Sequence, residues 1–196
     1  MNQKKSFARG AIFRVALVGI CAALIEAVKL ALSGIPNVEG VTLLCALFGY
    51  CFGWYGVLST AVFVSIEPLI YGYNTWVLSY YLYWPFVAIV FLLLRKRGIR
   101  NRFLLTAIAV LLTVWFGVLT SLVDVGLFTG FWDNFWGRFG IYYMRGIWFY
   151  VVHVACNIVV FPLLFRPLSN LLIGLSERFF PNRKKSEKGL DKQEET

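Results

Sequence analysis

The sequence predicts an all-α integral membrane protein, a six-transmembrane-helix bundle with its N- and C-termini in the cytoplasm. Three observations predict it. The 196 residues are 59% hydrophobic and only 15% charged, with mean hydropathy +0.71, which leaves too few polar groups to cover a water-soluble globule. The apolar runs reach the roughly 20 residues needed to cross a hydrocarbon core ~30 Å thick. All of the 19 Lys and Arg residues except Lys29, Arg138 and Arg145 fall in three clusters, at 4–14, 95–102 and 166–192, separated by those runs. Cytoplasmic loops retain Lys and Arg, so all three clusters are expected on one side. The formal charge of +9 thus flanks apolar helices rather than forming one patch. That fits anionic lipid headgroups or a cytoplasmic partner better than nucleic acid.

The chain divides into a cytoplasmic N-terminal segment at 1–10, a transmembrane domain at 11–180 and a flexible charged tail at 181–196, too poor in apolar residues to order itself. The first span, 11–33, stops at the turn-forming Gly34-Ile35-Pro36-Asn37. Lys4 and Lys5 ahead of an apolar run resemble a signal peptide, but Arg14, Glu26 and Lys29 interrupt the run, so it is expected to be a retained helix. Residues 41–71 are apolar and broken once, at Gly53-Trp54-Tyr55-Gly56. One helix here would give five spans and strand two basic clusters outside; two helices give six, with every cluster inside. The second span, 41–52, is too short to cross unaided, so it is shielded by neighbours or begins near Glu39. The fourth, fifth and sixth spans follow at 76–94, 103–128 and 141–165, and external loops fall at 34–40, 72–75 and 129–140. Trp76, Trp132, Trp136 and Tyr142 at these edges form an interfacial aromatic belt.

Ionisable groups at bilayer depth cost ~2.5 kcal/mol or more, so they face a bundle interior and pair or line a polar cavity. The spans contain Glu26, Lys29, Glu67, Asp124, Arg145 and His153, with Asn157 as a further polar residue. Glu26 and Lys29, three residues apart, can neutralise each other. In the sixth span Arg145, Phe149, His153 and Asn157 recur every four residues and mark an inward stripe. Its outer end, together with Tyr80, Tyr81 and Trp84 of the fourth span and Thr120 and Asp124 of the fifth, would wall an aromatic pocket suited to a small molecule. The alternative is an Arg145–Asp124 salt bridge that ties two helices together. His153 has no second ligand at metal spacing on its helix, and Cys21, Cys45, Cys51 and Cys156 have no zinc or disulfide pattern. No metal or cofactor is therefore expected. Gly19, Ala23, Ala27 and Ala31 form a small-residue ladder on the first span, open either to internal packing or to a docking partner; Gly49-x-x-x-Gly53 is a shorter one. No nucleophile-base set or nucleotide-binding glycine loop is visible, so the chain is not expected to be an enzyme.

Six spans in under two hundred residues, the alanine-rich first helix, and Lys29-Leu30 through Ile35-Pro36-Asn37-Val38-Glu39-Gly40-Val41-Thr42-Leu43-Leu44 resemble a substrate-binding S component of an energy-coupling factor (ECF) vitamin transporter. The similarity covers residues 13–165. It implies a bacterial plasma membrane location and a ladder, Gly19, Ala23, Ala27 and Ala31, docked on a transmembrane T component joined to two cytoplasmic ATPases. It also implies that the first external loop, with Asn37 and Glu39, covers an outward-facing site built with the fourth to sixth helices, and that the S component topples to release substrate. The abundance of Trp and Tyr favours a flat aromatic or heteroaromatic compound.

Two other classes compete with this expectation. A self-sufficient proton-coupled carrier would use Glu67, Asp124 or His153, and a structural membrane protein would bind no saturable ligand.

Overall fold

The structure is a computed structural model that describes residues 2–35, 38–129 and 132–179, with the side chains of 2–9 and 178–179 left aside. Among the described residues every regular element is helical. Helix α1 (Asn2–Leu32) takes in the segment expected to precede the first span, and α2 (Val41–Phe52) and α3 (Trp54–Tyr71) are separate helices. They part at Gly53, whose φ of 64° lies in the region that favours glycine. Helices α4 (Trp76–Lys96) and α5 (Arg102–Val123) follow, the latter closing in a π-helical turn at Asp124–Phe128.

Helix α6 (Phe135–Val160) starts six residues before the expected boundary of 141 and does not stop at 165. It passes through a π-helical segment, Phe161–Phe165, directly into α7 (Arg166–Phe179). Pro162 and Pro167 lack the N–H that continues an α-helical ladder; the wider π segment contains Pro162 and ends two residues before Pro167, so the chain can keep turning instead of breaking. The charged tail at 181–196 lies outside the described residues.

Five of these helices are long and apolar enough to cross a membrane, and α2 is a shorter apolar sixth. At ~1.5 Å per residue, α2 covers only about 18 Å. Its solution is complete enclosure: every residue from Val41 to Phe52 is buried, chiefly among α3, α4 and α7. Close approach depends on glycine. A Cβ on Gly49 would lie 2.1 Å from the Ala88 carbonyl oxygen of α4, and one on Gly56 would lie 2.0 Å from that of Phe48. Gly49 thus serves internal packing, where small residues let helix backbones meet.

The helices alternate in direction, and the two-helix reading of 41–71 sets the parity. Arg14 lies over Tyr55, Arg95 over Tyr50, and the Tyr50 hydroxyl donates to the Ile99 carbonyl, so the described part of each basic cluster gathers at one end. The α4–α5 connection there is sharply defined. Gly98, at φ 70°, ends α4 with Ile99 N–H bonded to Leu94 O and Gly98 N–H to Arg95 O, while Asn101 caps α5 by accepting from Phe103 and Leu104.

Candidate functional site

The opposite end holds a cavity of about 480 Å³ among α1 to α6 and the connection after α1. Each wall has a local cause. Gly34 and Ile35 end the first helix, and the chain returns through Val38 and Glu39 into α2. The Glu39 carboxylate accepts from both the backbone N–H and the hydroxyl of Thr42, filling donor sites that a helix N-terminus leaves open. Glu39 is thereby held at the cavity wall.

The aromatic wall comes from α4 and α5. The ring of Tyr80 lies 5.6 Å from that of Trp84, and Phe116 lies 5.8 Å from Trp84 and 6.2 Å from His153. Offset and edge-on rings at these separations attract one another and brace the wall. Trp84 is 4% exposed, and its Nε1 is buried with no hydrogen-bond partner among the described residues.

Beside the cavity, the Lys29 ammonium donates to the carboxylate of Glu67, which is completely buried on α3. Its Nζ also lies 4.3 Å from the centre of the Tyr71 ring and 5.6 Å from that of Tyr80, where ring faces attract a cation. Glu26 instead accepts from the Tyr71 hydroxyl at 3.1 Å. The expected Glu26–Lys29 pair therefore gives way to two contacts with α3. Both carboxylates are buried, but Glu26 is met by the Tyr71 hydroxyl while the ammonium is the hydrogen-bond donor that reaches Glu67, the more enclosed of the two.

Six of the residues expected at the site line this cavity: Lys29, Glu39, Tyr80, Trp84, Phe149 and His153. Five do not. Tyr81 donates to Ser65 on α3, and Thr120 donates to the Phe116 carbonyl of its own helix. Arg145 is exposed and forms no ion pair with Asp124. Asp124 sits in the π-helical turn after α5, with a buried Oδ1 that has no hydrogen-bond partner among the described residues. Asn157 is fully buried deeper in the bundle, donating to Thr113 at 2.9 Å. Asn37 lies outside the described residues.

The α6 correction is geometric. At about 100° per residue, a four-residue repeat drifts, so Arg145 is turned about 120° from Asn157. Gly146 and Tyr150 take the inward positions instead. The Tyr150 ring lies where a Cβ on Gly117 of α5 would come within 2.9 Å. Tyr71, Phe116 and Tyr150 also line the cavity and were not expected there. A Gly146–Tyr150–His153 reading at spacings of four and three would have found Tyr150; nothing local marks Phe116.

The ladder residues Ala23, Ala27 and Ala31 are exposed, and a Cβ on Gly19 would meet nothing within 4 Å. The buried face of α1 is Cys21, Ala22, Ile25 and Glu26. Internal packing is thus excluded as the use of the ladder.

Fold and cavity define a multi-pass helical membrane protein with an aromatic-walled, polar-edged chamber at one end of its bundle. No family model, curated protein or solved structure matches the chain.

Proposed function

We propose that the chain is the substrate-binding S component of an ECF-type transporter, capturing a vitamin-like aromatic or heteroaromatic micronutrient at the cell membrane. The cavity carries this reading. Its volume of about 480 Å³ falls within the ~300–1,000 Å³ of small-molecule sites, and it combines aromatic walls with few polar groups as such sites do. A flat ring would stack on Tyr80, Trp84 or Phe116, while Lys29, Glu39 and His153 would orient its polar edge. The cavity lies at the end away from Arg14, Arg95, Arg100, Arg102 and Arg166; in this reading that basic end is cytoplasmic, the cavity faces outward and both termini lie inside.

The outward ladder of Gly19, Ala23, Ala27 and Ala31 supports a docking role, because small side chains allow a partner helix to approach closely. In this reading the partner is a transmembrane T component, and two cytoplasmic ATPases supply the energy. The chain itself performs no catalysis.

Mass spectrometry of small molecules copurifying with the full chain, followed by uptake measured with and without the T component and ATPases, tests the proposal. A heteroaromatic compound and ATPase-dependent uptake are expected. Full-rate uptake by the chain alone would overturn it. The second reading, a proton-coupled carrier, draws on the Lys29–Glu67 pair placed inside the bundle beside the cavity. Uptake that follows a pH gradient and survives ATP depletion would favour that reading.

A further inference from the structure

The basic end contains a second cavity, of about 430 Å³, walled by the α4–α5 connection and the start of α7. Among the described residues four arginines line it, Arg95, Arg100, Arg102 and Arg166, with one carboxylate, Glu177. They come from three places in the chain, and the fold alone brings them together. Tyr50 fixes the arrangement from α2: its hydroxyl holds the Ile99 carbonyl, and its ring lies 5.1 Å below the Arg95 guanidinium. Ser169 and Asn170 add polar groups at the α7 wall.

We propose that this groove binds the phosphate of an anionic phospholipid headgroup. Guanidinium groups present planar forks of N–H donors that match phosphate oxygens, and several converging arginines exceed what a diffuse basic surface offers. The groove lies where α4 ends and α5 begins, at the ends of two helices long and apolar enough to span a membrane, and basic pockets between membrane helices are suited to such headgroups. Its neighbourhood also supplies a place for acyl chains. Phe103 is 65% exposed, Leu104 44% and Leu164 45%, and all three flank the arginines in sequence. A soluble phosphate compound would use the arginines but not this apolar surface.

Native mass spectrometry of the full chain released from nanodiscs, either of phosphatidylglycerol mixed with phosphatidylcholine or of phosphatidylcholine alone, tests the proposal. Phosphatidylglycerol adducts are expected to persist, and the Arg100→Gln/Arg166→Gln variant should lose them about tenfold or more, because each guanidinium removed gives up charge-assisted hydrogen bonds to the phosphate. Lys96→Gln/Arg97→Gln removes the same charge from the same end outside the groove, so its adducts should stay within about twofold of the parent. Equal loss in both variants, or loss in neither, would overturn the site. Arg100→Lys/Arg166→Lys keeps the charge without the forks; undiminished adducts there would overturn the fork geometry. Inorganic phosphate at millimolar concentration separates the sources. Complete displacement of the lipid by it would overturn the phospholipid assignment, and persistence of the lipid supports it.

Discussion

Replacing Lys29 by methionine removes the counter-charge of a carboxylate with no solvent contact. The Glu67 side chain is 0% exposed and that of Lys29 is 27% exposed, so the two halves of the pair are unequal. Stranding the Glu67 carboxylate should cost about 3 kcal/mol, the lower part of the range for breaking a buried ion pair. Glu67→Leu should cost less, about 2 kcal/mol, because the ammonium left behind retains cavity access and the ring faces of Tyr71 and Tyr80. The double variant Lys29→Met/Glu67→Leu substitutes an apolar contact of similar bulk and should cost only about 1–2 kcal/mol. The coupling is then about 3 kcal/mol. Reversible unfolding in mixed micelles, followed by tryptophan fluorescence, measures all four corners of this cycle. A coupling at or below about 0.6 kcal/mol, the average for interhelical hydrogen bonds in a membrane protein, would refute the reasoning. The pair would then be an ordinary polar contact, with Glu67 reaching water or another partner.

Three further outcomes follow from the geometry. Trp84→Leu keeps bulk but removes an aromatic wall of the cavity, so affinity for the copurifying compound should fall about tenfold by isothermal titration calorimetry, whereas Arg145→Ala should stay within about twofold. Gly49→Ala should destabilise the fold by about 3 kcal/mol or more, since its new methyl meets the α4 backbone, while Gly19→Ala should be near neutral; melting temperatures in detergent compare them. Ala23→Trp, on the exposed face of α1, should leave the melting temperature and ligand affinity unchanged while abolishing copurification with a co-expressed T component. Loss of folding in that variant would place Ala23 in an internal interface instead.

The helical, membrane-type architecture and the split of 41–71 into two helices were legible because their signals are local and cumulative. Hydropathy marks the spans, and Gly53 marks a backbone position that an ordinary residue rarely adopts. The charge bias then decides between one helix and two at 41–71. Tyr80 and Trp84 were legible from aromatic content at the outer end of the fourth span, and Phe149 and His153 from the four-residue repeat of the sixth. The ends of α6 were not, because a π segment lets a helix continue past proline where α-helical spacing predicts a stop. The orientation of α6 was equally hidden. A repeat of four residues reads as a stripe in sequence, yet its drift over twelve residues carries Arg145 off the cavity face.

By itself, then, the sequence determined a membrane-spanning helical chain, the break at Gly53 and the segregation of its basic clusters, since each follows from local composition and backbone freedom. Only the tertiary structure decided that Lys29 turns from Glu26 to Glu67, that Asn157 serves Thr113 rather than the cavity, and that four arginines converge around Tyr50. Those pairings depend on how helices distant in sequence rotate against one another. That rotation is set by burial and by close contacts such as Gly49 on Ala88 and Tyr150 on Gly117, which no single stretch of sequence contains.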